Sequence, residues 1–131
     1  LVGSEMCIRD RFRSSAGLPI FVGRSNRQND RLTTRTAEKW DLWFHTQKIH
    51  GSHVILSTGG GRTDAQSIAE AASLAAYFSQ AQSSTKVPVD FTQVKFVKKP
   101  AAAKPGMVVY TNYQTVLADP NEELVKHLLV K

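Results

Sequence analysis

The chain has 131 residues, of which 41% are hydrophobic and 8% aromatic, an ordinary composition for one globular domain and too short for two. Lys and Arg number 17 against 11 Asp and Glu, a formal net charge of +6, which favours an anionic partner, nucleic acid before membrane. No run approaches the roughly 18 apolar residues of a membrane span, so we expect a soluble domain.

Residues 1–11 contain the only cysteine, Cys7. This segment is similar to a translated adapter sequence that recurs at the ends of assembled reads, and it lacks the basic start and long apolar stretch of a signal peptide. We therefore expect it to be foreign to a domain that spans residues 12–131. The rest of the chain has neither a disulfide framework nor a thiolate metal site, which favours a reducing cytoplasm.

The first predicted elements are a hairpin and a basic helix. A turn at residues 16–17 precedes the apolar run 18–22, which predicts the second strand of a hairpin. Asn26 or Asn29 can cap the following helix. Three arginines then share one stripe of its surface: Arg27, Arg31 and Arg35. The stripe either contacts phosphates or is a solvated face neutralised by Asp30 and Glu38.

The central strand is predicted at residues 42–46, where Leu42 and Phe44 point to one side and Trp43 and His45 to the other. One face can enter a core. The other presents an indole beside an imidazole, which is suited to stacking on a base and to touching a phosphate or base edge. The alternative is that Trp43 belongs to the core and His45 is structural.

A second strand, residues 53–57, pairs with the first through the turn at residues 50–52. The three histidines of this region, His45, His50 and His53, fit no familiar metal site. Asp41 and His45 would lie about 13 Å apart on a strand, too far for a catalytic dyad, and no nucleophile motif is present. We therefore predict a non-catalytic domain that needs neither a metal nor a cofactor.

Residues 59–61 are three glycines, which form either a phosphate cradle or a flexible turn. Thr63 is the predicted N-cap of the longest helix, residues 64–82, whose apolar stripe packs on the sheet. The strand at 87–91 changes phase near residues 92–93, which predicts a bulge or one helical turn. A loop follows that is rich in lysine and free of acidic residues: Lys95, Lys98, Lys99 and Lys104. It is either a mobile phosphate-binding loop or a solvated linker.

The C-terminal part predicts a hairpin of residues 107–111 and 114–117, then a short helix with Asp119 as N-cap and Pro120 in its first turn. Together the elements predict an α+β fold. It comprises a mainly antiparallel sheet of about five to seven strands, one long packed helix, a short Arg-rich helix at its rim and a short C-terminal helix.

Seven blocks, in order, resemble the NFACT RNA-binding domain, NFACT-R, the C-terminal domain of bacterial proteins long labelled fibronectin-binding protein A-like. The blocks are residues 20–33, 41–46, 51–54, 72–79, 87–90, 97–100 and 103–106. The resemblance implies a parent ribosome-associated quality-control factor that binds the large ribosomal subunit obstructed by peptidyl-tRNA. That parent would recruit tRNA, alanyl-tRNA in bacteria, so that the stalled chain receives a C-terminal alanine tail.

The family's Asp-x-Trp-x-His signature matches Asp41, Trp43 and His45, which the resemblance places among the RNA contacts. We predict that six basic residues position the RNA backbone while Trp43 and His45 stack on or read a base. These six are Arg24, Arg27, Arg31, Lys98, Lys99 and Lys104. The competing class is an adhesion module that binds fibronectin or another matrix protein, and its binding would persist at high salt.

Overall fold

A six-stranded antiparallel sheet in the order β1-β2-β4-β3-β5-β8 dominates the computed structural model, which describes residues 11–130. The strands are β1 (Arg11–Arg13), β2 (Pro19–Val22), β3 (Leu42–Thr46), β4 (Val54–Leu56), β5 (Val87–Gln93), β6 (Val97–Lys98), β7 (Val109–Tyr110) and β8 (Gln114–Ala118). The helices are α1 (Asn26–Arg31), which continues as a π-helical turn (Leu32–Thr36), α2 (Ala65–Tyr77) and α3 (Glu122–Leu128). β6 and β7 pair separately. The predicted α+β class is confirmed.

Both predicted N-terminal pairings form. β1 pairs with β2, and β3 pairs with β4 across the turn at residues 50–52. β1 begins at Arg11, which lies opposite Phe21, so the last residue of the segment that we expected to be foreign pairs with the sheet. Residues 1–10 lie outside the described part of the chain, and the adapter interpretation stays a prediction for them.

The two faces of the sheet are covered differently. Helices α2 and α3 pack on the first face, where Phe44 lies within the main hydrophobic core. On the second face, Trp43 and Ile55 form a smaller cluster with Leu32 of the π-helical turn and Val94. Successive residues of β3 therefore point to opposite faces, as their alternation predicts, but both faces are buried at its centre.

Helix α2 is shorter than predicted. Asp64, not Thr63, is its N-cap, and its carboxylate accepts a hydrogen bond from the Ser67 N–H. The helix ends at Tyr77, and the next residues are bound to the β3–β4 turn instead of continuing the helix. Ser52 N–H donates to the Phe78 carbonyl, and Gln80 N–H donates to a carbonyl of that turn. Tertiary contacts thus end the helix at Tyr77, although the helical pattern of the sequence continues to residue 82.

Two further caps were predicted at the wrong residues. Ser25 caps α1 through its hydroxyl, because Asn29 is buried and accepts from the His53 N–H instead. Asn121 caps α3, because the Asp119 carboxylate is occupied by the backbone N–H of Lys86. For Asn29 and Asp119, a long-range contact took the side chain that local spacing would have used.

The predicted C-terminal hairpin is wrong. β7 pairs with β6, whereas β8 pairs with β5 of the main sheet, so the two segments belong to different sheets. Asn112 between them has a positive φ of 56°, and the Thr92 hydroxyl lies within hydrogen-bonding distance of the carbonyls of residues 111 and 112. The phase change after β5 is the predicted helical turn, a 3₁₀ turn at Val94–Phe96.

Candidate nucleic-acid interface

Trp43 lies at the centre of the second sheet face and is only 1% exposed. Its ring is parallel to that of His45 at 5.8 Å and perpendicular to that of His53 at 5.3 Å. Tyr110 covers it at 4.7 Å, and the buried indole Nε1 has no hydrogen-bond partner among the described residues. The structure thus favours the core alternative for Trp43, because an indole covered by a tyrosine cannot stack on a base.

His45 and His53 are both uncharged at neutral pH. Burial lowers the pKa of His45, and burial together with the nearby His45 lowers the pKa of His53 to about 3. The His53 Nδ1 atom lies 2.7 Å from the Thr33 hydroxyl of the π-helical turn. His45 is only partly buried. A neutral imidazole both donates and accepts, so His45 can read a base edge but brings no fixed positive charge.

Asp41 is buried and faces the protein. Its carboxylate accepts hydrogen bonds from the backbone N–H groups of Glu38 at 2.9 Å and Thr58 at 3.2 Å, and its carbonyl accepts from the Val94 N–H. These contacts join the loop before β3, the segment after β4 and the 3₁₀ turn. The Asp41 carboxylate therefore holds β3 in place, because its hydrogen bonds go to the backbone of the protein itself.

The lysine-rich loop belongs to a structured arm, which we define as residues 97–110 and which includes β6 and β7. Lys99 Nζ lies 2.8 Å from the Asp30 carboxylate on α1, and the Gly106 N–H donates to the same oxygen at 3.2 Å. The Lys99 hydrogen bond holds the pKa of Asp30 below its usual value. These two contacts bind the loop to α1 at Lys99 and at Gly106.

A buried carboxylate anchors the far end of the arm. Asp90 on β5 is 1% exposed and accepts from the Tyr110 hydroxyl at 2.6 Å, the Thr115 hydroxyl at 2.6 Å and the Gln47 amide at 3.1 Å. Burial and the neighbouring carboxylate raise the pKa of Tyr110, whose hydroxyl therefore keeps its proton and donates. Asp90 thus joins the arm, β8 and the β3–β4 turn at one point.

Two adjoining cavities, which we call the groove, lie between α1 and the β3–β4 turn. The cavity of about 470 Å³ is also lined by the arm, and the cavity of about 520 Å³ by the end of α2 and the residues after it. They share five lining residues: Asn26, Asn29, His50, Gly51 and Gln80. The cations among the lining residues are Arg24, Lys48 and Lys104, and none of the described residues that line either cavity is Asp or Glu. The groove is therefore suited to an anion.

The predicted basic residues separate into three places. Arg24 and Lys104 line the groove, and the Arg24 guanidinium lies 4.5 Å above the Phe78 ring. Arg27 and Arg31 are exposed on α1, one turn apart. Two of the predicted lysines, Lys98 and Lys99, instead line a third cavity. The structure therefore brings Trp43, His45, Arg24 and Lys104 to one groove, and does not bring Asp41, Lys98 or Lys99 there.

Lys48 and Tyr110 line the groove and were missed by the sequence analysis. Lys48 follows β3 closely in a turn where its φ is 62°, so its position near His45 could have indicated it. Nothing local indicates Tyr110, because its contact with Trp43 depends on the arm folding back over the sheet.

Among the described residues, no group of three or more His, Cys, Asp or Glu is arranged to hold a metal ion. Nor does the part of the chain from residue 11 to 130 contain a helix long and apolar enough to cross a membrane.

Comparison with known proteins gives one family. The family model for the NFACT protein RNA binding domain matches residues 10–112. The Rqc2 homolog RqcH of Bacillus subtilis (strain 168) is 48% identical over 118 residues, which are 90% of this chain and 20% of that protein. Its namesake from Streptococcus pneumoniae serotype 2 is 45% identical over 106 residues, 81% of this chain and 19% of that protein.

A solved structure is also similar: the C-terminal part of the fibronectin/fibrinogen-binding protein from Streptococcus suis. It has a TM-score of 0.87 and 39% sequence identity, over 93% of this chain and 49% of that chain. The chain spans about a fifth of the length of the curated relatives that it matches.

Proposed function

The chain belongs to the family of NFACT protein RNA binding domains, and we propose that it is the non-catalytic RNA-binding module of a ribosome-associated quality-control factor. The groove carries this proposal, because it gathers three cations and no carboxylate from the described residues around a partly exposed His45. Phosphates supply most of the affinity in such complexes, and cations spaced along a groove are what a flexible strand requires.

Within the groove we assign Arg24, Lys48 and Lys104 to phosphate contacts, and His45 to hydrogen bonding with a base edge. Arg27 and Arg31 extend the basic surface along α1. Trp43 and Asp41 shape the site from inside the fold. Lys98 adds charge beside the third cavity, and Lys99 is paired there with Asp30. Bases would therefore be read by an imidazole and not by the signature indole.

The RNA partners that we propose are tRNA, alanyl-tRNA among them, and the large ribosomal subunit obstructed by a stalled nascent chain. The named relatives are Rqc2 homologs, and this chain matches about a fifth of their length. We therefore propose that the domain supports alanine tailing by a longer cytoplasmic parent NFACT protein, in which other parts hold the ribosome and select the tRNA.

The test is the affinity of the 131-residue chain for deacylated tRNA, measured by fluorescence anisotropy over a series of salt concentrations. One variant replaces the three groove cations by glutamine: Arg24→Gln, Lys48→Gln and Lys104→Gln. If each of them meets a phosphate, the slope of log affinity against log salt becomes shallower by about 2. The affinity of this triple variant for tRNA at low salt also falls.

The matched control removes the same charge elsewhere, through Arg62→Gln, Lys86→Gln and Lys126→Gln, none of which lines the groove. We expect this control to keep most of the slope, because net charge alone acts weakly at a distance in salt. An equal loss of salt slope in the two triple variants would refute the assignment of phosphate contacts to the groove. If the unchanged chain does not bind tRNA at low salt, the RNA-binding proposal is refuted.

The second candidate function is adhesion to fibronectin or fibrinogen, which the name of the structurally similar protein from Streptococcus suis favours. It predicts capture of the chain on immobilised fibronectin that persists at high salt, and equal capture of the groove triple variant. The RNA-binding proposal predicts that any such capture is weak and is lost as salt screens the basic surface.

A further inference from the structure

The open part of the second sheet face, beyond the arm, carries exposed apolar side chains. Tyr113 is 49% exposed and Leu117 is 65% exposed. Leu117 lies on the side of β8 that faces away from the main core: Thr115 on the same side bonds to Asp90, whereas Val116 and Ala118 pack into that core. Tyr113 immediately precedes β8, the edge strand of the sheet, and we call these two exposed residues the ledge.

The ledge adjoins the groove. The Tyr113 ring meets the Tyr110 ring at 5.2 Å with an interplanar angle of 74°. Tyr110 in turn lines the groove cavity that holds Lys48 and Lys104. Tyr113 therefore lies directly beside a residue of the cationic groove.

Tyr113 packs against a ring that is itself held in place. The hydroxyl of Tyr110 donates to the buried Asp90 at 2.6 Å, so the ring behind Tyr113 has a fixed position. An aromatic side chain that is already oriented loses less rotamer freedom when a base stacks on it.

We propose that Tyr113 is a stacking platform for one unpaired RNA nucleobase, next to the groove that holds the backbone; this inference rests on the proposed RNA-binding function. The position lies one residue beyond the family match, which ends at residue 112. Trp43, the aromatic residue of the signature, is covered by Tyr110, whereas the Tyr113 side chain is 49% exposed. The occupant is RNA and not a protein because the adjoining cavity is cationic and free of carboxylates among its described residues.

The experiment compares three variants of the 131-residue chain by anisotropy with a short single-stranded oligouridine. Tyr113→Leu keeps an apolar side chain without a ring, and Tyr113→Phe keeps the ring. The matched control is Trp40→Leu, because Trp40 is 47% exposed, nearly as much as Tyr113, and lines neither cavity of the groove. Thermal melts by circular dichroism establish that each variant folds.

Tyr113→Leu weakens binding by a factor on the order of five to one hundred, the range for removal of one stacked base contact. The slope of log affinity against log salt is the same for Tyr113→Leu as for the unchanged chain, because no charge is removed. Tyr113→Phe and Trp40→Leu keep full affinity. A second measurement needs no variant: ultraviolet crosslinking of the unchanged chain to oligouridine that carries 5-iodouridine places the crosslink, by mass spectrometry, on Tyr113.

Three results would contradict the stacking role of Tyr113. They are an RNA affinity that is unchanged in Tyr113→Leu, an equal loss of RNA affinity in Trp40→Leu, and crosslinks confined to other residues. If RNA affinity is unchanged in Tyr113→Leu while capture on fibronectin falls, the ledge docks a protein and the inference fails. Salt-sensitive RNA binding that is indifferent to Tyr113 overturns this inference alone. Failure of the unchanged chain to bind any RNA overturns the proposed function together with it.

Discussion

Stability between pH 7 and pH 5 is expected to depend on His53. The imidazole is buried between β3 and the π-helical turn, and burial is the main reason that its pKa falls from 6.5 to about 3. His45 acts in the same direction, and Asp30 opposes it. In the unfolded chain the ring has its ordinary pKa. Between pH 6.5 and about 3 the unfolded state therefore binds a proton that the folded state does not.

The sign follows from this difference in bound protons. The free energy of unfolding rises with pH wherever the unfolded state binds more protons, so it falls as the solution is acidified through this window. With pKa values of 6.5 and about 3, His53 alone lowers it by about 2 kcal/mol between pH 7 and pH 5. His45, whose pKa is also lowered by burial, adds to the loss. Asp30 titrates below this range.

Urea unfolding at the two pH values measures the effect, with fluorescence of Trp43 as the probe. The chain has two tryptophans, so a Trp40→Phe background leaves Trp43, whose ring centroid is 5.3 Å from that of His53. In this background we expect His53→Gln to lose most of the pH dependence, because its side chain does not titrate. His50→Gln, at an exposed position, serves as the control and keeps the pH dependence.

A free energy of unfolding that stays level from pH 7 to pH 5 would contradict the assignment of this pH dependence to His53. So would a decrease in His53→Gln as large as in the parent chain, since another group would then account for the proton uptake.

Three other substitutions test the fold around the groove. Trp43→Ala should lower the free energy of unfolding by about 3–5 kcal/mol, the usual cost of deleting a buried aromatic side chain, and urea titration checks it. Gly106→Ala should loosen the arm at a cost of about 1–3 kcal/mol, because Gly106 has a φ of +83° and an added Cβ would lie 3.2 Å from the Asn26 carbonyl oxygen; faster tryptic cleavage within the arm reports it. Asp30→Asn removes a partly exposed ion pair worth at most about 1 kcal/mol, so global stability should hardly change while the arm is again cleaved faster. Protection of the arm at the parent level in both arm variants would show that these contacts do not hold it.

Local patterns in the sequence were sufficient for most of the secondary structure. The alternation of residues 42–46 placed β3 at the bounds that the structure has, and it placed Trp43 on the face opposite Phe44. Turn residues predicted both N-terminal pairings. These features depend on the period of side chains along a strand and on the dihedral preferences of a few residues, which are properties of short segments.

The basic charge and the family resemblance also follow from the amino-acid sequence alone, whereas the set of residues that meet at the site depends on tertiary contacts. Gly106 and Asp30 meet across 76 positions, and Tyr110 and Asp90 across 20. These contacts fold the arm over the sheet, bury Trp43 and leave Tyr113 uncovered. Alternation tells which residues share a face of a strand, but whether that face meets solvent depends on which distant segment packs against it, and no local pattern records that choice.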